Sequence, residues 1–515
     1  MICASTVCLT LCGSLLPLSA AINDPVKVDG GLVSGTSGYS SEVRVFKGVP
    51  FAAPPIGLLR WRAPEPVAKW DGVRKAVAMP AICADNPYLG RETINSILPP
   101  VSEDCLYLNV WTAAQSAGER RPVMVWIYGG VLERASVMPS TYDGEELAKK
   151  GVVLVTFNYR VGIFGLLAHP ELSRESIHHT SGNYWFLDQL AALEWVQRNI
   201  SAFGGDPKRV TIIGQGAGSW SVNLLTASPL AKGLFQRAIG ESGANFEPMT
   251  KRLPEMELAG AIWAQFMGAD SMGALRARSA DEIRSKAPGA FPRLAFLGYV
   301  DGWVLPEEVY AIYSKGKQND VPVLIGSNAD EGTAFTPSPF TIELFGKEAQ
   351  RRFGRQAEEY LKLYPVNSDA EAWASWAATY RDEGYGWPMR TWARMQTKTG
   401  KSKAHLYYFS HVPPGPIGNR FGAYHSAEVN YVFHNLEPSN RIWQAVDRKL
   451  ADMMSSYWVN FAATGDPNGK GLPKWPAYEQ RTDLLMEFGD EVTMRPVPHK
   501  AQLDFFEAYN NKLRN

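Results

Sequence analysis

The chain predicts an α/β fold, a central and mostly parallel twisted sheet flanked by helices, and three observations carry that prediction. Continuous apolar runs of strand length stand at Pro122–Tyr128 and Gly151–Tyr159, as in strands buried on both faces. Helical spacing follows in Gly182–Gln197, where Leu187, Leu190, Ala191, Leu193 and Val196 recur at helical intervals; alternation of the two patterns marks a wound sheet. Val210–Ile213 then runs into Gly214-Gln215-Gly216-Ala217-Gly218, a crowded strand-to-helix turn that only small residues tolerate.

Taken in order, residues 1–21 form an apolar run that closes on Leu18-Ser19-Ala20-Ala21, as an export signal does before its cleavage site. No Lys or Arg precedes that run, and a buried N-terminal strand or helix is the alternative. Residues 22–515 are expected to form one domain, starting with a strand and a proline-fixed loop across Val43–Ala68. Pro122–Tyr128 is a central strand, Tyr142–Ala148 opens a helix, and Gly151–Tyr159 is the next strand. The Gly182–Gln197 helix leads to the Val210–Ile213 strand, and a helix leaves from Ala217. Val321–Gly326 and Lys403–Ser410 supply further strands, and the helix-rich stretch Phe340–Arg390 is expected to form a lid or subdomain over the pocket.

Composition narrows the partners. Lys plus Arg and Asp plus Glu both number 52, so no basic excess draws nucleic acid or an anionic membrane. Past the N-terminus no apolar run reaches spanning length, and a small-molecule ligand is the expected partner. Of five cysteines, only Cys83 and Cys105 lie outside the leader. In an exported chain such a pair forms a disulfide; in a cytosolic one it would be two buried thiols. His178 and His179 are adjacent but lack a third ligand at metal spacing, and neither a metal nor a cofactor is expected.

The turn at Gly214–Gly218 has the form G-x-S-x-G with Gly216 at the serine position, and upstream stands Glu103-Asp104-Cys105-Leu106-Tyr107-Leu108-Asn109-Val110-Trp111. With these two segments in order, the chain resembles the type-B carboxylesterase/lipase family from about Val33 to the C-terminal region. That resemblance implies an α/β-hydrolase fold with a helical lid, and the chain order of nucleophile, acid and histidine. Glu331, in Gly326-Ser327-Asn328-Ala329-Asp330-Glu331, matches the family's acid; His425, in Gly422-Ala423-Tyr424-His425, matches its base. The family's oxyanion donors fall on the backbone N–H groups of Gly130, Val131 and Ala217, where a family glycine triplet is broken by Val131. A β-branched side chain there is expected to restrict the backbone and crowd the acyl site. The resemblance also implies the Cys83–Cys105 bond and two structural ion pairs, Arg60 with Glu103 and Arg160 with Asp188. Trp185 and Phe186 are bulkier than family habit, which either alters the site or packs the core.

A carboxylate beside an imidazole is useful next to a group that loses a proton. Such a group is missing at Gly216, and Ser219 and Ser221 lie on the departing helix, turned away by its geometry. Ser242 stands near the site in the family without being its nucleophile, and Gln215 has no nucleophilic chemistry. The expectation is an exported carboxylic-ester hydrolase by descent, with its serine mechanism disabled. Its rivals are a non-catalytic ligand- or partner-binding protein, and a site where His425 and Glu331 act as a general base without a serine.

Overall fold

In a computed structural model of the protein, residues 22, 24–84, 100–132, 140–248, 251–290, 298–436 and 441–514 are described. The expected signal segment, residues 1–21, lies outside them. Among the described residues the main sheet has eleven strands. In chain order they are β1 (Thr36–Ser37), β2 (Arg44–Pro50), β3 (Tyr107–Thr112), β4 (Arg121–Ile127), β5 (Val153–Phe157), β6 (Gly205–Gln215), β7 (Arg237–Glu241), β8 (Val323–Asn328), β9 (Ala404–Phe409), β10 (Leu484–Phe488) and β11 (Val492–Pro496). Across the sheet they run β11-β10-β9-β8-β7-β6-β4-β5-β3-β2-β1. From β5 to β10 neighbours are parallel, and both flanks are antiparallel.

Each apolar run becomes a buried strand. Val123–Ile127 and Val153–Phe157 are fully enclosed, because a parallel strand here is covered on both faces and has no polar side to show. Strand β6 exceeds its sequence expectation, reaching back to Gly205 across a shift in register with β4. Helix α1 (Tyr184–Asn199) and helix α2 (Ala217–Ala227) fall where the spacing places them. The helix expected near Tyr142 is only five residues, Glu145–Lys149, after a short 3₁₀ turn. Trp185 and Phe186 sit at 1% and 2% exposure within the main core, which settles their packing role. The helix-rich stretch resolves into Ile342–Phe353, Ala357–Leu363, Asp369–Arg381, a π turn over Asp382–Gly386, and helix α3 (Trp387–Thr399). Helix α4 (Ala445–Thr464) packs against β4 and β6.

Both structural ion pairs form. Arg160 binds Asp188 through Nε and Nη2 at 2.8 and 2.6 Å, and Arg60 Nε meets Glu103 at 2.6 Å. Cys83 and Cys105 are disulfide-bonded. No helix among the described residues is long and apolar enough to cross a membrane.

Candidate active site

Strand β6 ends at Gln215, and helix α2 begins at Ala217, leaving Gly216 alone to reverse the chain with φ 59° and ψ −122°. L-residues rarely hold that conformation. The turn is also crowded: a Cβ at Gly218 would stand 1.9 Å from the Ile127 carbonyl oxygen, which is why the flanking position stays glycine. Gly216 N–H donates to the Glu241 carbonyl at 2.9 Å and its own carbonyl accepts from Trp220 N–H at 3.0 Å, so the turn is fastened on both sides.

The parallel strands deliver their C-terminal ends to one edge, where open α/β sheets bind ligands. Glu331 follows β8 by three residues, and its loop is fastened to the His425 loop through Asp330 N–H to Ala423 O at 3.0 Å and Ala423 N–H to Asp330 Oδ2 at 2.8 Å. His425 Nδ1 thereby meets Glu331 Oε2 at 2.5 Å, while Glu331 Oε1 accepts the Asn328 N–H at 2.8 Å. On its far side His425 Nε2 stands 3.1 Å from Gln215 Nε2. With Nδ1–H donating to the carboxylate and the Gln215 amide donating to Nε2, the neutral imidazole keeps its lone pair on Nε2. An ideal Cβ at Gly216 would lie only 2.9 Å from that nitrogen. Tyr385, from the π turn, and Phe335 flank the ring at centroid distances of 4.9 and 5.2 Å. Burial opposes the imidazolium, yet the charge and hydrogen bond of Glu331 outweigh it and raise the His425 pKa.

Behind the pair lies a buried polar layer that the sequence did not reveal. Asn328 Nδ2 donates to the Tyr424 carbonyl and to Glu428 Oε2, and Trp458 Nε1 donates to Glu241 Oε1 at 2.7 Å. Burial, then the charge of Glu331, pushes Glu428 up to about 7. Burial and then Glu428 hold Glu241 well above the ordinary carboxylate range. The only sequence signal was proximity: Glu428 falls three residues after His425, and Glu241 closes the strand Arg237–Glu241 just before Ser242.

The loop after β4 packs onto the turn, since a Cβ at Gly129 would meet the Gln215 carbonyl oxygen at 2.5 Å and Ala217 N at 3.4 Å. The N–H of Ala217, first in its helix, has no intrahelical acceptor. Gly130 takes φ 113°, but Val131 and Leu132 also take positive φ, 54° and 57°. For a β-branched residue this is an outlier and stores strain. The Val131 side chain is 41% exposed. The nearby serines are occupied or enclosed: Ser219 Oγ donates to Gly243 O at 2.6 Å, Ser221 Oγ to Ala217 O at 2.9 Å, and Ser242 is fully buried. His178 stacks on Trp303 with centroids 3.7 Å apart, and no group of three or more metal-ligating side chains stands together among the described residues.

An eleven-strand sheet with a strained glycine turn, a histidine–carboxylate pair and its crossing loop defines an α/β-hydrolase. The signature of the Carboxylesterase family matches residues 23–506, and the chain belongs to that family. It is 39% identical over 495 residues to the fumonisin B1 esterase of Sphingopyxis macrogoltabida, spanning 93% of this chain and 89% of that one. It is 35% identical over 490 residues to the para-nitrobenzyl esterase of Bacillus subtilis, spanning 92% and 96%. Human cocaine esterase is 34% identical over 510 residues, spanning 92% and 88%. A solved PNB esterase superposes with a TM-score of 0.80 at 33% identity, covering 93% of this chain and 99% of that one.

Proposed function

We propose that the chain binds carboxylic esters above Gly216 and that, in this sequence, acyl transfer through a serine is disabled. The observation that carries this is the short approach of His425 Nε2, 2.9 Å from where a side chain at Gly216 would begin, with no hydroxyl in that place. Ser219 and Ser221 spend their hydroxyl protons on backbone carbonyls, which leaves them unsuited to replace it. Relatives named for fumonisin B1, para-nitrobenzyl and cocaine esters support the ester class and no single substrate.

What remains is a base whose Nε2 lone pair accepts from the Gln215 amide at rest and is freed when that amide gives way to a water. Glu331 orients His425 and stabilises its protonated form; Nε2 takes a proton from a water in the space over Gly216 as that water attacks the ester carbonyl, and the imidazolium returns the proton to the departing alkoxide as the ester C–O bond breaks, releasing alcohol and carboxylic acid. Ala217, Gly130 and Val131 N–H groups face the developing oxyanion in this scheme. Without a covalent intermediate the rate falls by about a millionfold from serine-type turnover, leaving roughly 10³–10⁴ over water. The leader-like N-terminus and the Cys83–Cys105 bond support an exported protein.

The test is labelling by a fluorophosphonate together with hydrolysis of p-nitrophenyl acetate. The chain as written should show no label and no burst, and Gly216→Ser should gain both. Labelling of the unaltered chain, mapped to Ser219, Ser221 or Ser242, would overturn the proposal.

A further inference from the structure

A second pocket of about 300 Å³ opens away from the turn, between the start of α1 and the loop carrying Trp303. Its place in the fold separates it from the ester site. Val304, in its wall, accepts a hydrogen bond from Ser228 Oγ at 2.6 Å, and Ser228 follows the last residue of α2. Eleven helical residues at 1.5 Å each put that end of α2 roughly 16 Å from Gly216. None of Gly216, Glu331 or His425 lines it.

Three features show what the pocket would hold. Its walls are aromatic: Trp61, Tyr184 and Trp303 all line it. Its charge leans acidic: Glu65, Glu175 and Asp301 line it with one guanidinium, Arg62, whose Nη2 stands 3.5 Å from Glu175. Glu175 is largely spoken for by Arg276, at 2.8 and 2.9 Å, and Asp301 accepts from Trp303 N–H, Leu305 N–H and Asn183 Nδ2 at 3.0 Å each. The Glu65 side chain, by contrast, is exposed at the rim. Asn183, 5% exposed at the foot of the pocket, spends its amide hydrogens on Tyr299 O and Asp301 and leaves Oδ1 without a partner. Among the described residues of the lining, the buried polar atom left without a partner is therefore an acceptor, and the exposed Glu65 carboxylate stands free at the rim.

The third feature is a flap. Between the helix Pro170–Glu175 and α1, Ile177 is 88% exposed, His178 lies flat on Trp303 with the planes 14° apart, and His179 holds a positive φ of 55°. The imidazole covers one whole face of Trp303.

We propose that this pocket is a second ligand site for small arylalkyl ammonium ions, with His178 as its displaceable cover. The aryl group replaces His178 on Trp303, and the ammonium donates toward the acceptor-rich rim, where aromatic faces and carboxylates both favour a cation.

The experiment is titration of the whole chain with phenethylammonium and with its uncharged counterpart 2-phenylethanol, read by calorimetry and by tryptophan fluorescence. Phenethylammonium should bind at least about tenfold more tightly than the alcohol. Trp303→Ala should weaken it by about tenfold or more, Glu65→Gln by a few-fold, and His178→Ala should tighten it by removing the competing ring. Because His178 and Glu65 are exposed, these two variants keep the test open if Trp303→Ala does not fold. His425→Ala should leave the affinity unchanged. Equal affinity for the two probes, loss of binding in His425→Ala, or weaker binding in His178→Ala would overturn the proposal.

Discussion

Glycine at position 216 sets two quantities at once, the strain of the turn and the space beside His425 Nε2. At φ 59° and ψ −122° a side chain is disfavoured, and its Cβ would start 2.9 Å from the imidazole. Gly216→Ser should therefore gain phosphonate labelling while losing about 1–3 kcal/mol of stability, measured by urea denaturation. The opposite substitution applies nearby: Val131 pays for a positive φ with no glycine to relieve it. Val131→Gly is expected to stabilise the chain by about 1 kcal/mol and, combined with Gly216→Ser, to raise ester turnover above that of Gly216→Ser alone. Unchanged turnover in the double variant would show that the loop already presents its donors well.

Glu428 supplies a pH dependence with a definite sign. Burial and the charge of Glu331 raise it from 4.5 to about 7 in the folded chain, so the folded state holds a proton that the unfolded state has released. The resulting penalty is absent below about 4.5, grows with pH and is complete above about 7. Glu428→Gln keeps an acceptor for Asn328 and removes the titration. Its stability relative to the parent should rise between pH 4.5 and pH 8, by on the order of 3 kcal/mol, as read from denaturation midpoints across that range. A pH-independent difference would place the proton elsewhere in the layer.

At the scale of elements, Arg160 and Asp188 join the segment leaving β5 to helix α1. Asp188 is fully buried and accepts from both the backbone N–H and the guanidinium of Arg160. A buried pair contributes little net stability, but deleting one member strands the other charge. Asp188→Ala is expected to cost about 3–5 kcal/mol in equilibrium unfolding. The π turn Asp382–Gly386 matters for another reason: it places Tyr385 against His425 and so joins the helix-rich stretch to the site edge of the sheet.

For the whole molecule, the Cys83–Cys105 bond closes a sequence separation of 22. Limiting the unfolded chain in this way is worth roughly 3 kcal/mol in the chain-entropy model. Reduction at neutral pH should lower the urea midpoint accordingly, and an unchanged midpoint after complete reduction would refute that contribution. Balanced charge, with 52 residues of each sign, gives the molecule no long-range field. Its recognition rests on local features such as the acidic aromatic pocket by Trp303.

The sequence by itself determined what is local. Apolar runs and helical spacing located β4, β5 and α1, and the glycine-rich turn located the strained residue, since each depends on neighbours a few positions apart. The order of Glu331 and His425 was also legible, because both stand in short recognisable segments. Tertiary structure alone decided the contact of Gln215 with His425, the layer of Asn328, Glu428 and Glu241, and the stacking of His178 on Trp303. The first two sets meet because β6 lies between β4 and β7 and because loops from distant strands share one sheet edge, while His178 and Trp303 meet between the start of α1 and the far end of α2. A one-dimensional pattern records which side chains are buried; which of them face one another follows only from the order of strands across the sheet.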